Sequence, residues 1–310
     1  MPAPLLIADV PWLLYRSFFA LPKSIVDGEG RPVNALLGTV NAILSVLDAR
    51  LPARPVRGVV ACLGDDAADY RVELYPAYHA HRDPMPVELA AQWEKAPALL
   101  ASLGWTVSES PGLEADDVMF SFACAERERG GEALLLSGDR DMYGAVSDRV
   151  AVIDLRKGSE QLEVGPEEVR ERYGVEPGQV PDFIAMRGDP SDGLPGAPGI
   201  GAKTAAELLS AHGTLEDVLA AAKSIADGTT TRAADSSTGR PMRPRTAAAL
   251  SENEELLRVF KHIATLQRVD VEPPTDRTTD FASGARVAGE MGMRRLSERL
   301  RALAESPSTG

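Results

Sequence analysis

Eight acidic residues stand at four points of the sequence where a short apolar run comes to an end. They are Asp9 in PLLIAD, Glu114, Asp116 and Asp117 in GLEADD, Asp139 and Asp141 in SGDRD, and Asp189 and Asp192 in RGDPSDG. A single acidic residue after a strand is most often a helix cap. So many carboxylates in one place would repel one another strongly unless cations were bound between them. The pattern therefore predicts a cation site built from carboxylates.

The ligand type indicates which cation this site would take. Carboxylate oxygens with no histidine or cysteine in the same motifs suit magnesium or manganese. Two such ions, roughly 4 Å apart, can activate water and stabilise the leaving oxygen in phosphodiester hydrolysis. Glu114 and Asp117 are three residues apart, so they share a helix face if Glu114 opens a helix.

The segment GLPGAPGIGAKTAAELL carries a second pattern that could do chemistry. Its glycines would let the backbone approach a phosphate, and the helix that follows would add its positive N-terminal end. An ordinary turn between two helices is the alternative, and the GxxxxGK[ST] spacing of a P-loop is absent. A loop of this kind contacts the nucleic-acid backbone, which implies sequence-independent binding. The residues concerned are Gly196, Gly199, Ile200, Gly201, Lys203 and Thr204.

The elements that must position these residues alternate along the first half of the chain. Five apolar runs are predicted strands: PLLIAD, RGVVACL, WTVSES, EALLLSGD and RVAVIDL. Stretches between them, such as 33–50 and 87–103, carry apolar residues at helical spacing. This alternation predicts an α/β fold with a mostly parallel sheet flanked by helices. Active sites in such folds lie beyond the carboxyl ends of the strands, where the acidic residues stand.

From about Pro166 the sequence predicts short helices with turns and no strand. Residues 226–248 are rich in Gly, Ser, Thr, Ala and Arg and are predicted to be a mobile loop. Between positions 221 and 250 there are five basic and two acidic residues. This loop is either a solvated linker or a phosphate-contacting segment, and the sequence leaves both readings open.

Composition bounds the remaining possibilities. The net charge of −13 would usually argue against nucleic acid, but a carboxylate-lined metal site can account for much of it. The two cysteines, Cys62 and Cys124, lie in apolar surroundings and are predicted to be buried reduced thiols. No signal peptide and no apolar stretch long enough for a bilayer is found, so we expect a soluble cytoplasmic protein.

These motifs together resemble the 5′–3′ exonuclease and flap-endonuclease family, which includes the N-terminal domain of bacterial DNA polymerase I. Asp9 with LLYRSFFALP is similar to the family's first motif, and YRVELYPAYHAHRDPMP to the start of its helical arch. GLEADD, SGDRDMY and RGDPSDGLPGAPGIGAKTA match its diagnostic motifs in family order. The resemblance extends from Asp9 to about Gln267, and nothing in the chain is similar to a polymerase.

The resemblance implies a PIN-like domain over residues 1–180 and a helix–hairpin–helix domain, of the helix-three-turn-helix kind, over 181–275. It places a helical arch at about 71–100, which would thread or clamp a single-stranded 5′ flap. A C-terminal segment would occupy 276–310. The implied activity is structure-specific 5′–3′ exonuclease and flap-endonuclease cleavage of DNA in replication and repair. We expect a monomer that acts on 5′ flaps or 5′ ends.

The resemblance also assigns roles to residues. All eight acidic residues match its metal-site carboxylates, for two Mg²⁺ or Mn²⁺ ions. Arg82, with His79, would stabilise charge on the scissile phosphate. Further DNA contacts are implied for Arg16, Arg71, Tyr78, Arg82 and the hairpin residues Gly196, Gly199, Ile200, Gly201, Lys203 and Thr204. For Tyr78, core packing is the alternative. The hairpin carbonyls would hold a potassium ion.

Three positions depart from the family pattern. Gly64 stands where the family has an aspartate, although Asp65 or Asp66 could replace it after a slip of one residue. His79 replaces the arch lysine, and Val10 follows Asp9 where the family has glycine. These departures motivate an alternative, a structure-specific DNA-binding protein with weak or no nuclease activity. A third possibility, a PIN-type ribonuclease, is disfavoured because the hairpin domain suits duplex DNA.

Overall fold

The computed structural model describes residues 3–50, 55–155, 161–228 and 242–305. Six strands form one sheet, and all five predicted runs are among them, which confirms the predicted α/β class. The strands are β1 (Leu5–Asp9), β2 (Gly58–Cys62), β3 (Thr106–Ser108), β4 (Ala133–Leu136), β5 (Val150–Leu155) and β6 (Gln161–Val164). β6 was not predicted, and it pairs antiparallel with β5, whereas the other pairings are parallel.

The strand order is β3-β2-β1-β4-β5-β6, so β1 lies between β2 and β4. The chain leaves β1 toward β2 and β3, then returns to the opposite side of β1 as β4. β1 and β4 therefore flank the point where the direction of winding reverses, which is where open α/β sheets bind ligands. Asp9 ends β1 at this point, and Asp139 follows β4 closely.

Helices cover both faces of the sheet. Side chains alternate along β1, so that Leu5 and Ile7 join one apolar core while Leu6 and Ala8 join the other. The helices of the first region are α1 (Val10–Ala20), α2 (Asn34–Arg50), α3 (Asp69–Leu74), α4 (Val87–Trp93), α5 (Ala96–Ser102) and α6 (Ala115–Glu128). A short 3₁₀ helix, Asp141–Ala145, follows β4.

The chain beyond β6 is helical in the part that the structure describes, as predicted. Its helices are α7 (Pro166–Tyr173), α8 (Val180–Arg187), α9 (Ala202–His212), α10 (Leu215–Ala226), α11 (Pro244–Glu252), α12 (Glu254–Ala264), α13 (Phe281–Glu290) and α14 (Arg294–Glu305). α8 packs against α12, and α9 to α12 complete the core on the same side of the sheet as α6.

The mobile loop was predicted to extend to residue 248, but α11 already begins at Pro244. Residues 244–248 are the first turns of α11, since Pro244 suits the start of a helix and Ala247 is fully buried. Residues 229–241 lie outside the described part of the chain, so the two readings of the loop stay open.

The predicted arch at 71–100 divides into segments with different surroundings. α4 and α5 replace the single helix predicted over 87–103, and Leu89, Leu99 and Leu100 of these helices are buried in the core with α1 and α2. Residues 75–86 lie between α3 and α4 and form turns instead of a regular helix. An arch role is therefore a prediction for residues 75–86 alone.

The two cysteines, Cys62 and Cys124, are buried and unpaired, as predicted. Within the described ranges, we find no helix that combines the length and the apolar character needed to cross a bilayer.

Gly64 makes a close backbone contact just after β2. A Cβ atom at this position would lie 2.4 Å from the Ala115 amide nitrogen and 2.7 Å from the Leu113 carbonyl oxygen. Both atoms belong to the backbone that leads into α6, so they cannot move aside as a flexible side chain would. Glycine at this position therefore lets the start of α6 approach the end of β2.

We predict that Gly64→Ala lowers the free energy of unfolding by about 1–3 kcal/mol, the usual cost of overpacking. Gly178→Ala is the matched control, because a Cβ atom there meets nothing within 4 Å. Urea denaturation of both variants measures the difference. Equal stability of Gly64→Ala and the wild type would refute the close contact.

Candidate functional site

A cavity of about 280 Å³ opens at the carboxyl edge of the sheet, at the reversal between β1 and β4. Six of the eight predicted acidic residues line it, on three strand ends and the loop after α8. They are Asp9, Glu114, Asp116, Asp139, Asp141 and Asp192. Asp117 and Asp189 are not among the lining residues. The structure thus brings together residues that are up to 183 positions apart in sequence, since 192 − 9 = 183.

Asp9 and Asp139 are held by one serine between them. The Ser137 hydroxyl donates to Asp9 Oδ2 at 2.7 Å and accepts from the Asp139 amide at 3.0 Å. Asp9 Oδ1 also accepts from the Trp12 amide at 2.9 Å, which caps the first turn of α1. Asp139 Oδ1 accepts from the Asp141 amide at 2.9 Å. These bonds fix the two carboxylates at the strand ends.

Burial, and then mutual repulsion, raises the pKa values of four carboxyl groups at the cavity. Burial raises the pKa of Asp9 to about 6, with a further rise from Glu114. Burial also raises the pKa of Asp139 to about 7, with contributions from Asp192 and Asp9. The pKa values of Asp116 and Asp141 lie well above the ordinary range, first through burial and then through repulsion from Asp139. Bound cations would relieve this repulsion.

Arg71 is a buried cation that balances the charge of two carboxylates, Glu114 and Asp117. Its guanidinium is almost fully buried and donates to Glu114 at 2.6 Å and to Asp117 at 2.9 Å. Its Nε donates to the Ile263 carbonyl at 3.0 Å, at the end of α12. Asp117 is fully buried and also accepts from the Gln267 amide at 2.7 Å. Arg71 and Asp117 are thus engaged in a buried ion-pair network that links α3, α6 and α12.

Tyr78 belongs to the same network. Its side chain is buried, and its hydroxyl donates toward the two Glu114 oxygens at 3.1 and 3.2 Å. Burial and the neighbouring Glu114 hold the pKa of Tyr78 above its ordinary value. Glu114 accepts a third contact from the Ala68 amide at 3.0 Å. Tyr78 is thus largely buried, as the packing alternative requires, and it also lines the cavity, so a DNA contact stays a prediction.

Arg82 is the more exposed of the two arginines that line the cavity. Its guanidinium lies 3.3 Å from Asp192 and 3.6 Å from Asp66, and about a third of the side chain is accessible. His79 is buried beside it and contacts Asp192 through Nε2 at 3.1 Å. The structure therefore places Arg82 at the cavity, while His79 faces other protein groups.

Asp189 is held within its own loop. It accepts from the Arg187 guanidinium at 3.0 Å and from the Ser191 amide at 2.9 Å, and the Ser191 hydroxyl also donates to it. Arg187 in turn lies over the Phe183 ring, 5.2 Å from its centroid. This arrangement shapes the loop that carries Asp192.

The position of Gly64 has a clear outcome in the structure. Asp65 and Asp66 both line the cavity, as the slip of one residue would require. Asp65 is engaged by the Gly112 amide at 2.8 Å, and Asp66 pairs with Arg82. Both carboxylates therefore lie at the rim of the cavity and already have partners. Neither one occupies a buried position at a strand end, as Asp9 does.

The donor set fits hard divalent cations held partly through water. All of the acidic donors are oxygen atoms, the type that Mg²⁺ and Mn²⁺ prefer. Within the described ranges, no three acidic, histidine or cysteine side chains lie close enough to hold one ion by themselves. Mg²⁺ usually binds through one or two carboxylates and keeps several waters, so this wider spacing suits it.

An aromatic wall on one side of the cavity was not predicted. It consists of Trp12, Tyr15 and Trp93, all of which line the cavity. Tyr15 meets Trp93 edge-on, with 6.3 Å between ring centroids. Arg16, a predicted DNA contact, lies 5.5 Å from the Trp12 ring centroid. Aromatic residues in α1 and α4 give no sequence signal of their own, because only the packing of these helices brings them together.

The predicted hairpin joins α8 to α9. Gly196 crosses closely over Gly188, where a Cβ atom would meet the Gly188 amide at 2.4 Å. Ile200 is buried in the core, so it anchors the hairpin and offers no surface. Gly199, Gly201 and Lys203 are exposed, and Lys203 and Thr204 open α9. The backbone amides on this exposed side stand at a helix N-terminus, which favours an anion.

We predict that Arg71→Ala lowers the free energy of unfolding by about 3–5 kcal/mol, because it leaves Glu114 and Asp117 buried without their partner. Arg258→Ala is the control, since its pairs with Glu216 and Glu254 are half-exposed and contribute little. Thermal and urea unfolding check both variants. Similar losses for the two would contradict the account of the buried network.

We further predict that the metal-free protein loses stability as pH rises from about 5 to about 8. Folding raises the pKa of Asp9 to about 6 and that of Asp139 to about 7, so the neutral forms favour the folded state. This contribution is fully present below the unfolded pKa of about 4 and is lost as pH rises through the folded values. For Asp9 alone the full effect is on the order of 3 kcal/mol, of which roughly half is lost above about pH 5.

Urea unfolding in the presence of a chelator, at several pH values, measures this loss. Asp139→Asn removes one titrating group and should flatten the pH dependence. Stability that increases between about pH 5 and about pH 8 in the wild type would contradict the prediction.

Comparison with known proteins agrees with this architecture. Residues 4–174 match the family described as "5′-3′ exonuclease, N-terminal resolvase-like domain". Residues 175–282 match "5′-3′ exonuclease, C-terminal SAM fold". The two matches meet between α7 and α8, close to the boundary predicted at 180.

Relatives of known description cover most of the chain. A Mycobacterium tuberculosis protein described as a 5′-3′ exonuclease is 36% identical over 315 residues, which is 95% of this chain and 94% of the relative. The thermostable DNA polymerase I of Thermus thermophilus is 41% identical over 214 residues, covering 69% of this chain. The matched region is 25% of that polymerase.

Solved structures share the fold at lower identity. The bacteriophage T5 D15 flap endonuclease, in a pseudo-enzyme-product complex with DNA and metal ions, aligns with a TM-score of 0.64 at 18% identity. The alignment covers 98% of this chain and all of that one. The catalytic core of Rad2 in complex with DNA substrate aligns with a TM-score of 0.62 at 13% identity, over 96% and 91% of the two chains. With both halves of the family matched in order, the chain belongs to the 5′–3′ exonuclease family.

Proposed function

We propose that this protein is a Mg²⁺- or Mn²⁺-dependent 5′ nuclease that cleaves DNA at 5′ ends and 5′ flaps, irrespective of sequence. The observation that carries the proposal is the cavity lined by six carboxylates, four of which have raised pKa values. Arg71 and Arg82 are the cationic side chains among the lining residues, and both are already paired. Above the raised pKa values of Asp9 and Asp139, where these groups are ionised, cations from solution would balance their charge.

Asp9, Glu114, Asp116 and Asp139 are the residues proposed to hold the catalytic ions, with Asp141 and Asp192 beside them. When bound there, divalent ions would supply charge stabilisation at the phosphodiester and a more acidic water. Asp117 and Asp189 lie outside the cavity lining, so their proposed role is to position the neighbouring groups through Arg71 and through the 188–193 loop.

Arg82 is proposed to contact the phosphate that is cleaved. Its guanidinium lies at the cavity and retains accessible donors, and arginine binds phosphate oxygens in a two-pronged geometry. Arg71 is buried and paired, so its proposed role is to hold Glu114 and Asp117 in place.

The hairpin between α8 and α9 is proposed to bind the DNA backbone. Gly199 and Gly201 expose their backbone, and Lys203 is 88% exposed at the start of α9. Thr204 and Arg243 line the groove next to them, which adds a second cation. A potassium ion held by hairpin carbonyls is part of the proposal. Backbone contacts of this kind fix the register of DNA without reading bases.

The flap substrate is proposed from the descriptions of related proteins. The T5 D15 neighbour is named a flap endonuclease, and the M. tuberculosis relative is named a 5′-3′ exonuclease. The cavity opens beside residues 75–86, the part of the predicted arch without a regular helix. That arrangement supports access for a single strand. A monomeric state is also proposed.

The prediction is that the purified protein releases short 5′ products from a DNA flap in the presence of Mg²⁺ or Mn²⁺ and none with a chelator. Asp116→Asn and Asp139→Asn should lower the rate by about 10²-fold or more, since each removes charge on which cation binding depends. Gel analysis of a 5′-labelled flap, with 3′-flap and RNA-flap controls, measures cleavage.

Asp148→Asn is a matched control, because this exposed acid lies outside the cavity lining. If the folded wild type binds flap DNA but cleaves none at any pH or with either metal, the DNA-binding alternative replaces the nuclease proposal. Faster cleavage of the RNA flap would favour the ribonuclease alternative.

A further inference from the structure

A narrow seam joins the turn at residues 77–82 to the loop at residues 189–193. The His79 amide donates to the Asp192 carbonyl at 3.2 Å, so the two backbones run side by side. On the other side of the seam, a Cβ atom at Gly193 would lie 3.0 Å from the Ala77 carbonyl oxygen. Gly193 also has a φ of +76°, which favours glycine. The seam joins the two halves of the molecule beside the cavity.

The His79 side chain fills the centre of this seam. Its Nδ1 contacts the Asp66 carbonyl at 2.7 Å, and its Nε2 contacts Asp192 Oδ1 at 3.1 Å. The ring stacks on Tyr78, with 3.9 Å between centroids. Only 7% of the residue is exposed, and it is not among the residues that line the cavity. Every polar atom of the ring therefore faces protein.

His79 and Arg82 meet at one atom. Asp192 Oδ1 accepts from Arg82 Nη2 at 3.3 Å and faces His79 Nε2 at 3.1 Å. Asp192 and Arg82 both line the cavity. Asp192 is thus one of the two carboxylates that hold the Arg82 guanidinium, the other being Asp66, and His79 contributes to the orientation of Asp192.

The backbone of His79 is strained. Its φ is +54°, the only positive φ among non-glycine residues that the structure describes. Such a conformation persists only where surrounding contacts determine it strongly, and it often marks functional positions. Four hydrogen-bond contacts of His79 supply that determination: two from the ring, one from its amide, and one to its carbonyl from the Arg82 amide at 2.9 Å.

We propose that His79 is a positioning residue. It fixes the Asp192 carboxylate and, through that carboxylate, the Arg82 guanidinium at the edge of the cavity, and it makes no contact with DNA. The cleavage part of this inference rests on the proposed function. The positioning role replaces the expectation from the sequence that His79 itself stabilises charge on the phosphate.

Two conservative variants separate the two contacts of the ring. In His79→Asn the amide nitrogen stands near the place of Nδ1, so the Asp66 contact is kept and the Asp192 contact is lost. Asparagine also tolerates a positive φ well. In His79→Gln the amide nitrogen reaches the place of Nε2, so the Asp192 contact is kept although the backbone is less well suited.

We expect His79→Ala and His79→Asn to lower kcat about 10- to 100-fold with KM little changed, since misplaced groups slow the reaction without weakening binding. His79→Gln should retain more activity than His79→Asn. A role limited to the strained backbone predicts the opposite order, because asparagine suits that backbone better.

A double-mutant cycle tests the connection to Arg82. If His79 acts through Arg82, then Arg82→Ala should cost less activity in the His79→Ala background than in the wild type. Ala80→Ser is the control, since Ala80 is exposed in the same turn and the change is neutral in charge. It should leave both the activity and the coupling unchanged.

Hydrogen–deuterium exchange of the metal-free, DNA-free protein gives a readout that is independent of cleavage. His79→Ala should increase exchange in peptides from both sides of the seam, 75–82 and 188–194, while Ala80→Ser should not. Thermal unfolding of every variant verifies that it is folded.

The positioning role is overturned by unchanged exchange at 188–194, by additive effects of His79→Ala and Arg82→Ala, or by weaker DNA binding in His79→Ala equal to that in Arg82→Ala. If the wild type cleaves nothing, the proposed function fails. The exchange experiment then decides alone for or against the positioning role.

Discussion

Repulsion among carboxylates at one edge of the sheet is the constraint on which the rest of the structure depends. The order of the strands places the ends of β1 and β4 side by side, so Asp9 and Asp139 meet there regardless of their distance in sequence. α6 adds Asp116 at its first turn. Burial and mutual repulsion then raise the pKa values of these groups together. A folded protein that keeps such a cluster ionised requires either internal cations or ions from solution.

Arg71 and Arg82 neutralise the charge of only some of the carboxylates in the cluster. Arg71 is committed to Glu114 and Asp117, and through Ile263 it also joins the sheet region to α12. Arg82 is shared between Asp66 and Asp192 at the rim. The contacts that hold the second helical region against the sheet are therefore the same contacts that arrange the acidic site. Under the proposed function, stability and catalysis would be coupled at this position, because both would depend on these two arginines.

The strands that are buried on both faces could be predicted from the sequence. β1, β2 and β4 are buried on both faces, so each reads as a continuous apolar run, and the acids that follow them mark the site. β6 escaped prediction because it is a short edge strand with the mixed pattern Gln161–Val164. The break between α4 and α5 was missed because apolar spacing continues across 94–95, although Pro97 in the first turn of α5 marks a helix start. Charge alone could not show that Arg71 meets Asp117 inside the protein, or that His79 faces Asp192, because only the fold decides which charged groups meet.

The central claim is that divalent cations complete the carboxylate cluster. Crystals soaked with Mn²⁺ and measured for anomalous scattering test it most directly, because the ions are located without reference to any activity. We expect anomalous peaks inside the cavity, within ligand distance of Asp9, Glu114, Asp116 or Asp139 or of waters bound to them. A cavity without an anomalous peak, in crystals grown at a pH above the pKa values of Asp9 and Asp139, would contradict it.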